Sequence, residues 1–166
     1  MELAARLKKL MLRKPRLTLA VAESLTAGHL QAQIAAVSGA SGYFLGGITA
    51  YTLRQKVKLL GVNQAHAKRV DCVSQRVAVE MAYGALERFG ADVAAATTGY
   101  AEPNRAARVK APMAWWAICQ RLPNGKLVIN SGTIEVPGAD RTGAQSRIAR
   151  EVLKLLVAQL GAWRDV

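Results

Sequence analysis

Apolar side chains over Glu2–Leu12 recur at helical spacing, with Leu3, Leu7, Leu10 and Met11 on one stripe among lysines and arginines. Leu17, Leu19 and Val21 then form a strand-like run, which predicts a strand over Thr18–Ala22. Leu30, Ile34 and Val37 return to helical spacing and predict a helix over Thr26–Val37, and Gly39 and Gly42 break the chain before a second strand, Phe44–Tyr51. Leu53–Leu60 reads as a short helix. Ser74 stands as an N-cap ahead of Val77, Met81, Ala85 and Phe89. The unbroken apolar run Val93–Thr97 suits a central strand buried on both faces. Pro123-Asn124-Gly125 between Met113–Gln120 and Lys126–Glu135 predicts a hairpin. Arg141–Trp163 places Ile148, Val152, Leu155, Leu156, Leu160 and Trp163 on one stripe of a closing helix. Helices alternate with strands, without a repeat or a low-complexity linker. That order predicts an α/β fold, a three-layer α/β/α sandwich with a mixed sheet.

Composition adds size and setting. A chain of 166 residues, 51% hydrophobic and 20% charged, can bury one good core, so a single domain over 1–166 is expected. No apolar run approaches the about 18 residues a membrane helix needs. The basic, amphipathic start has no apolar signal-peptide core or small-residue cleavage site. A transit segment would share its basic character, but the leucine spacing fits packing within the domain. The two cysteines, Cys72 and Cys119, make neither a disulfide framework nor a zinc site, and read as buried thiols in a reducing cytoplasm. No metal and no cofactor is expected.

Charge narrows the partners. A net charge of +12 and a pI near 10.3 imply attraction to anions: phosphorylated metabolites, nucleic acid or acidic membrane surfaces. The basic residues are dispersed, aromatics are scarce, and Trp115-Trp116 sit in an apolar run. A solvated basic surface fits this better than a nucleic-acid footprint, which combines a basic face with exposed aromatics. A homo-oligomer that takes a phosphorylated small molecule is the expectation, with no membrane partner and with nucleic acid kept only as an alternative that the net charge allows.

Candidate chemistry starts at Ala22-Glu23-Ser24-Leu25-Thr26-Ala27-Gly28, between the first strand and the second helix. A tight strand–helix turn leaves backbone N–H groups unpaired, and Ser24 and Thr26 there suit an anion or a developing oxyanion, with Gly28 permitting close approach. The same residues also suit helix capping without chemistry. Tyr51 follows, with Lys56 five residues on, then Leu59-Leu60-Gly61-Val62, Val73-Ser74, Glu80-Met81-Ala82, Gly90-Ala91-Asp92, Thr98-Gly99 and Pro137-Gly138-Ala139-Asp140-Arg141.

In this order and at these intervals the set resembles the CinA carboxy-terminal family, over roughly residues 5 to 160. Its members are nicotinamide-nucleotide amidohydrolases, which convert nicotinamide mononucleotide to nicotinic acid mononucleotide and ammonia. The first block is similar to that family's Ala-Glu-Ser-Cys-Thr-Gly-Gly, with Leu25 and Ala27 as departures. Hydrolysing a carboxamide needs a nucleophile, a base and a site for the oxyanion. The only histidines are His29, one helical turn past Ser24, and His66 in a polar loop, which gives a Ser–His–Asp triad little support. A Ser–Lys pair is the economical alternative, with Ser24 as nucleophile and Lys56 as base. Lys56 must then lose its charge near neutral pH, through burial and through neighbouring cations such as Arg54 and Lys58.

Other roles follow the resemblance. Tyr51 hydrogen-bonds the lysine or the serine, or is an edge-of-core tyrosine. Thr98 and Gly99 wall the nucleotide pocket, at the strand end where open α/β sheets bind ligands. Arg141 clamps the substrate phosphate, and Asp140 caps the last helix. The chain departs from the family after Gly99. Where the family has a glycine-rich loop, Tyr100–Ala114 is glycine-free; Glu102 there would repel a phosphate, and Arg105 and Arg108 would attract one. Two alternatives stay open: an amidohydrolase with another substrate, and a non-catalytic relative that binds an anionic ligand or nucleic acid.

Overall fold

The computed structural model describes residues 2–164. Helix α1 (Glu2–Leu12) leads into strand β1 (Leu19–Glu23), helix α2 (His29–Ala35), a 3-10 turn (Ala40–Gly42) and strand β2 (Phe44–Thr49). Three helices follow, α3 (Leu53–Leu60), α4 (Gln64–Arg69) and α5 (Gln75–Phe89), then β3 (Val93–Tyr100), β4 (Met113–Arg121), β5 (Leu127–Glu135) and α6 (Arg141–Arg164). The strands form one sheet in the order β2-β1-β3-β4-β5. β1 is parallel to β2 and β3, while β3, β4 and β5 run antiparallel to one another in turn. The result is a mixed sheet between two layers of helices.

Alternation along the central strands divides the core. Leu19 and Val21 of β1 and Val93 and Ala95 of β3 face a cluster with Leu7, Met11, Leu30, Ile34, Ile148 and Leu156, from α1, α2 and α6. Ala20, Ala22, Ala94 and Ala96 face the opposite cluster, with Leu60, Val77, Met81 and Leu86 from α3 and α5. Successive strand residues point to opposite faces, so a strand covered on both sides carries no polar alternation. That explains the unbroken run of β3 at the middle of the sheet. Alanines on the second face allow α5 to lie close to the strands. At Gly84 of that helix an added Cβ would stand 2.1 Å from the Leu60 carbonyl oxygen, so α3 and α5 pack backbone to backbone there.

Several expected boundaries shift for physical reasons. Helix α2 starts at His29 rather than Thr26, because Ala27 and Gly28 adopt positive φ (48° and 96°) and hold residues 24–28 in a turn. β2 stops at Thr49 rather than Tyr51, and the carbonyls of Ala50 and Tyr51 turn to a side chain. β3 runs on to Tyr100, paired opposite Met113. The stretch around His66, expected as a polar loop, is helix α4. Asn63 caps it by accepting from the His66 N–H at 2.8 Å. Ser74 caps α5 as expected, accepting from Val77 N–H.

Candidate active site

The carboxyl ends of β1, β2 and β3 converge on a cavity of about 400 Å³. Ser24 leaves β1, Tyr51 follows β2, Lys56 rises from the second turn of α3, and Thr98, Gly99 and Tyr100 end β3; all line the cavity, with Asp71, Cys72, Glu102 and Arg141. At Gly99 an added Cβ would meet the Met113 carbonyl oxygen at 2.1 Å, so only glycine lets β4 approach the cavity wall here.

Lys56 is the most constrained side chain of the set. It is 1% exposed, and its Nζ lies 2.8 Å from Ser24 Oγ, 2.9 Å from the Ala50 carbonyl oxygen and 3.1 Å from that of Tyr51. Three partners suit both protonation states. An ammonium donates to all three. A neutral amine donates two N–H bonds to the carbonyls and turns its lone pair to the serine hydroxyl. Burial pushes the Lys56 pKa down from its ordinary range, against the opposing pull of Cys72 and Asp71. The neighbouring cations expected to assist do not take part: Arg54 and Lys58 lie exposed on α3. Ser24 itself is held by its N–H, which donates to the Thr97 carbonyl at 3.0 Å, and is 7% exposed.

Glu23 occupies the helix start that the sequence offers to an anion. Its Oε2 accepts from the N–H groups of Gly28 (3.1 Å) and Leu30 (3.0 Å), and its Oε1 from Gln31 N–H (2.9 Å). A buried carboxylate thus caps α2 and complements the positive end of its dipole. Gly28 is thus the N-cap position of α2 and stands outside the cavity lining. Thr26 is fully buried and bonds Thr97 Oγ1 at 2.7 Å, tying the turn to β3 away from the cavity. Of the expected binding residues, Thr98, Gly99 and Arg141 reach the cavity, whereas Thr26, Gly28 and Arg105 do not. Arg105 is exposed at the tip of a tight turn, closed by reciprocal backbone bonds between Asn104 and Val109 that hold it outside.

Tyr51 contributes to the lysine only through its main chain. Its side chain is 50% exposed, and its hydroxyl accepts from Arg141 Nη2 at 2.7 Å. Arg141 Nη1 donates to Glu102 Oε2 at 2.5 Å. The carboxylate expected to repel a phosphate thus sits on the very guanidinium expected to bind one. Asp140 caps α6, accepting from Gly143 N–H at 2.7 Å. The Thr98 hydroxyl donates to the Cys72 carbonyl at 2.6 Å.

Two contributors were not picked out from the sequence. Asp71 and Cys72 both adopt positive φ (50° and 61°), an uncommon backbone for non-glycine residues that turns the α4–α5 link toward the cavity. Asp71 Oδ2 accepts from the Tyr100 hydroxyl at 2.9 Å; burial and this bond push the Tyr100 pKa up to about 12. Cys119 is buried as expected, but Cys72 is only partly buried and lines the cavity. Burial raises its thiol pKa. A short link carrying Asp-Cys has no periodicity to mark it. Both imidazoles bond elsewhere, His29 Nδ1 to the Thr26 carbonyl and His66 Nε2 to Ser74 Oγ.

Comparison with known proteins accords with this arrangement. Residues 2–160 match the model of the CinA C-terminal domain. The chain belongs to the CinA C-terminal domain family. A CinA-like protein of Chlorobaculum tepidum is 38% identical over 146 residues, covering 87% of this chain and 34% of that protein. One from Mycobacterium marinum is 39% identical over 138 residues, covering 83% and 32%. The chain thus spans about a third of the length of these curated relatives. Among solved structures, a competence-damaged protein (CinA) superfamily protein from Klebsiella pneumoniae superposes with a TM-score of 0.86 at 26% identity, covering 98% of each chain. A competence/damage-inducible protein from Agrobacterium tumefaciens gives 0.81 at 28% identity, covering 96% of this chain and 94% of that one. The α/β fold with a mixed five-stranded sheet is therefore that of the CinA superfamily. Among the described residues no helix is long and apolar enough to cross a membrane.

Proposed function

We propose that this chain is an amidohydrolase that deamidates a nicotinamide nucleotide to the corresponding acid and ammonia, with nicotinamide mononucleotide as the reference substrate. The observation that carries the reading is the 2.8 Å contact between Lys56 Nζ and Ser24 Oγ inside a cavity, with the other two bonds of Nζ going to carbonyls. Those carbonyls hold the two N–H groups of a neutral amine and aim its lone pair at the serine. Lys56 takes the hydroxyl proton as Ser24 Oγ attacks the amide carbon. The new ammonium is then the nearest positive charge to the developing oxyanion. Collapse of the tetrahedral species breaks the C–N bond, and Lys56 returns the proton so that ammonia leaves. Water attacks the resulting ester by the same proton relay, releasing the carboxylate and restoring Ser24. Thr98 and Gly99 wall the pocket in this reading, and Tyr51 and Arg141 stand at its mouth.

The test is ammonia release from pyridine nucleotides by the purified protein and by Ser24→Ala. Release that survives Ser24→Ala, or none from any pyridine nucleotide, removes the Ser–Lys assignment. The pairing of Arg141 with Glu102 favours a second reading, a non-catalytic relative whose +12 charge binds nucleic acid. That binding would fall with salt at a slope of about −0.9 per duplex phosphate neutralised. Tight binding that falls with salt in this way, without ammonia release, would establish it.

A further inference from the structure

Four acidic or basic side chains line the cavity: Lys56, Arg141, Asp71 and Glu102. Each is already engaged. Lys56 is bonded to Ser24 and two carbonyls, and Asp71 to the Tyr100 hydroxyl. Arg141 directs one terminal nitrogen to Glu102 and the other to the Tyr51 hydroxyl. A guanidinium holds a phosphate best through two parallel N–H donors, and here each terminal nitrogen already directs one of its two N–H groups to a protein oxygen. With Lys56 neutral, as a base must be, the two carboxylates outnumber the one remaining cation. In the base form of Lys56 the lining thus carries two carboxylates and one guanidinium, within a chain of net charge +12.

We infer that Glu102 is a specificity-determining residue. By holding Arg141 it turns the cavity away from the phosphorylated pyridinium carboxamide and toward the unphosphorylated pyridinium nucleoside, whose ring is cationic and whose ribose carries only hydroxyls. The inference rests on the amide-hydrolysis reading and moves its preferred substrate from the mononucleotide to the nucleoside. The Arg141–Glu102 pair is half exposed, with side-chain exposures of 48% and 59%, so breaking it costs little. What opposes a phosphate is proximity. A dianion seated on Arg141 would lie about 5 Å from the Glu102 charge, and repulsion of that kind in a high dielectric weakens binding on the order of tenfold. Glu102 being exposed, its substitution leaves the core untouched.

Ribose 5-phosphate tests the assignment without an amide. Its affinity is measured by calorimetry for the wild type, Glu102→Gln, Arg141→Ala and the double variant. The expected result is weak binding to the wild type, about tenfold tighter binding to Glu102→Gln, and loss of that gain in the double variant. Equal affinity for wild type and Glu102→Gln, or binding by neither, overturns the inference. In parallel, kcat/KM for nicotinamide riboside relative to nicotinamide mononucleotide should exceed one in the wild type and fall about tenfold in Glu102→Gln. A wild type that prefers the mononucleotide, with a ratio unmoved by Glu102→Gln, also overturns it. Should neither compound release ammonia while Glu102→Gln still gains ribose 5-phosphate affinity, the amide reading fails and the role of Glu102 at Arg141 stands.

Discussion

Replacing Lys56 by methionine separates chemistry from architecture at one atom. Methionine nearly matches the buried lysine stem in length, so the change removes the amine and little else. Ser24 Oγ loses its amine partner 2.8 Å away, and with it the base of the proposed reaction. A positioned general base contributes about 10²- to 10⁴-fold, or about 3–5 kcal/mol at roughly 1.4 kcal/mol per tenfold. The expectation is a fall in kcat of at least 10²-fold with KM little changed. Stability moves differently. The Ala50 carbonyl loses its buried donor, a cost of about 1–3 kcal/mol, whereas the carbonyl of the exposed Tyr51 can turn to water. Against this stands the penalty for desolvating the lysine. Its folded pKa is depressed, so the unfolded chain binds the extra proton between the folded value and about 10.4, and stability rises with pH across that window. Below the folded pKa the penalty is fully present, at about 1.4 kcal/mol per unit of depression. Lys56→Met removes it, so the two effects act in opposite directions. Thermal unfolding at pH 7 should therefore show a cooperatively folded variant whose loss of stability is smaller than the lost Ala50 bond alone would give, while ammonia release collapses. If Ser24 and Lys56 act as one unit, the double variant Ser24→Ala/Lys56→Met is no slower than either single one. Activity within tenfold of wild type, or a large loss of stability with kcat preserved, would refute the reasoning and make Lys56 a structural residue.

The same geometry carries further expectations. Lys56 is inactive as a base when protonated, so kcat/KM should rise with pH along a limb centred below the ordinary lysine range. Asp71→Asn should move that limb to lower pH, because the Asp71 charge raises the Lys56 pKa; a limb that stays put removes Asp71 from the electrostatics. Glu23→Gln should cost about 1–2 kcal/mol by weakening the three-amide cap of α2, measured by urea unfolding, with KM little altered. A changed KM at constant stability would instead make Glu23 a substrate contact. No three His, Cys, Asp or Glu side chains among the described residues are grouped to hold a metal ion, and activity is expected to survive dialysis against EDTA. Loss that zinc or magnesium restores would assign different chemistry.

How much of this was legible in the sequence depends on what each residue's environment requires. The strands and long helices were visible because two-faced burial leaves its own pattern. Val93–Thr97 reads as apolar throughout because helices cover both sides of β3, and Ile148, Val152 and Leu156 repeat because α6 buries one stripe. The Ser24–Lys56 contact joins residues 32 apart in sequence, and no local pattern encodes it. It became visible only through the motif spacing taken together with the family resemblance. Short elements escaped for a related reason. α4 has six residues, too few for a period to show, and its Asn63 cap looks the same as a turn.

The unexpected contacts at the site share one cause: a side chain's type was legible, but its partner was not. Glu23 carries no sign in the sequence that it folds back onto the amides of Gly28, Leu30 and Gln31, and so takes the seat given to a substrate anion. Glu102 and Arg141 are 39 residues apart, and their meeting turns a presumed phosphate clamp into a paired group. Both cases are carboxylates answering positive charge within the chain. A net charge of +12 therefore misleads when applied to the cavity, because long-range attraction depends on the sum of charges whereas recognition depends on which donors are still free. The excess cations draw anions toward the surface as a whole. In the proposed reaction, what is held at Ser24 is decided by Lys56, Arg141 and the two acids that line the cavity with them.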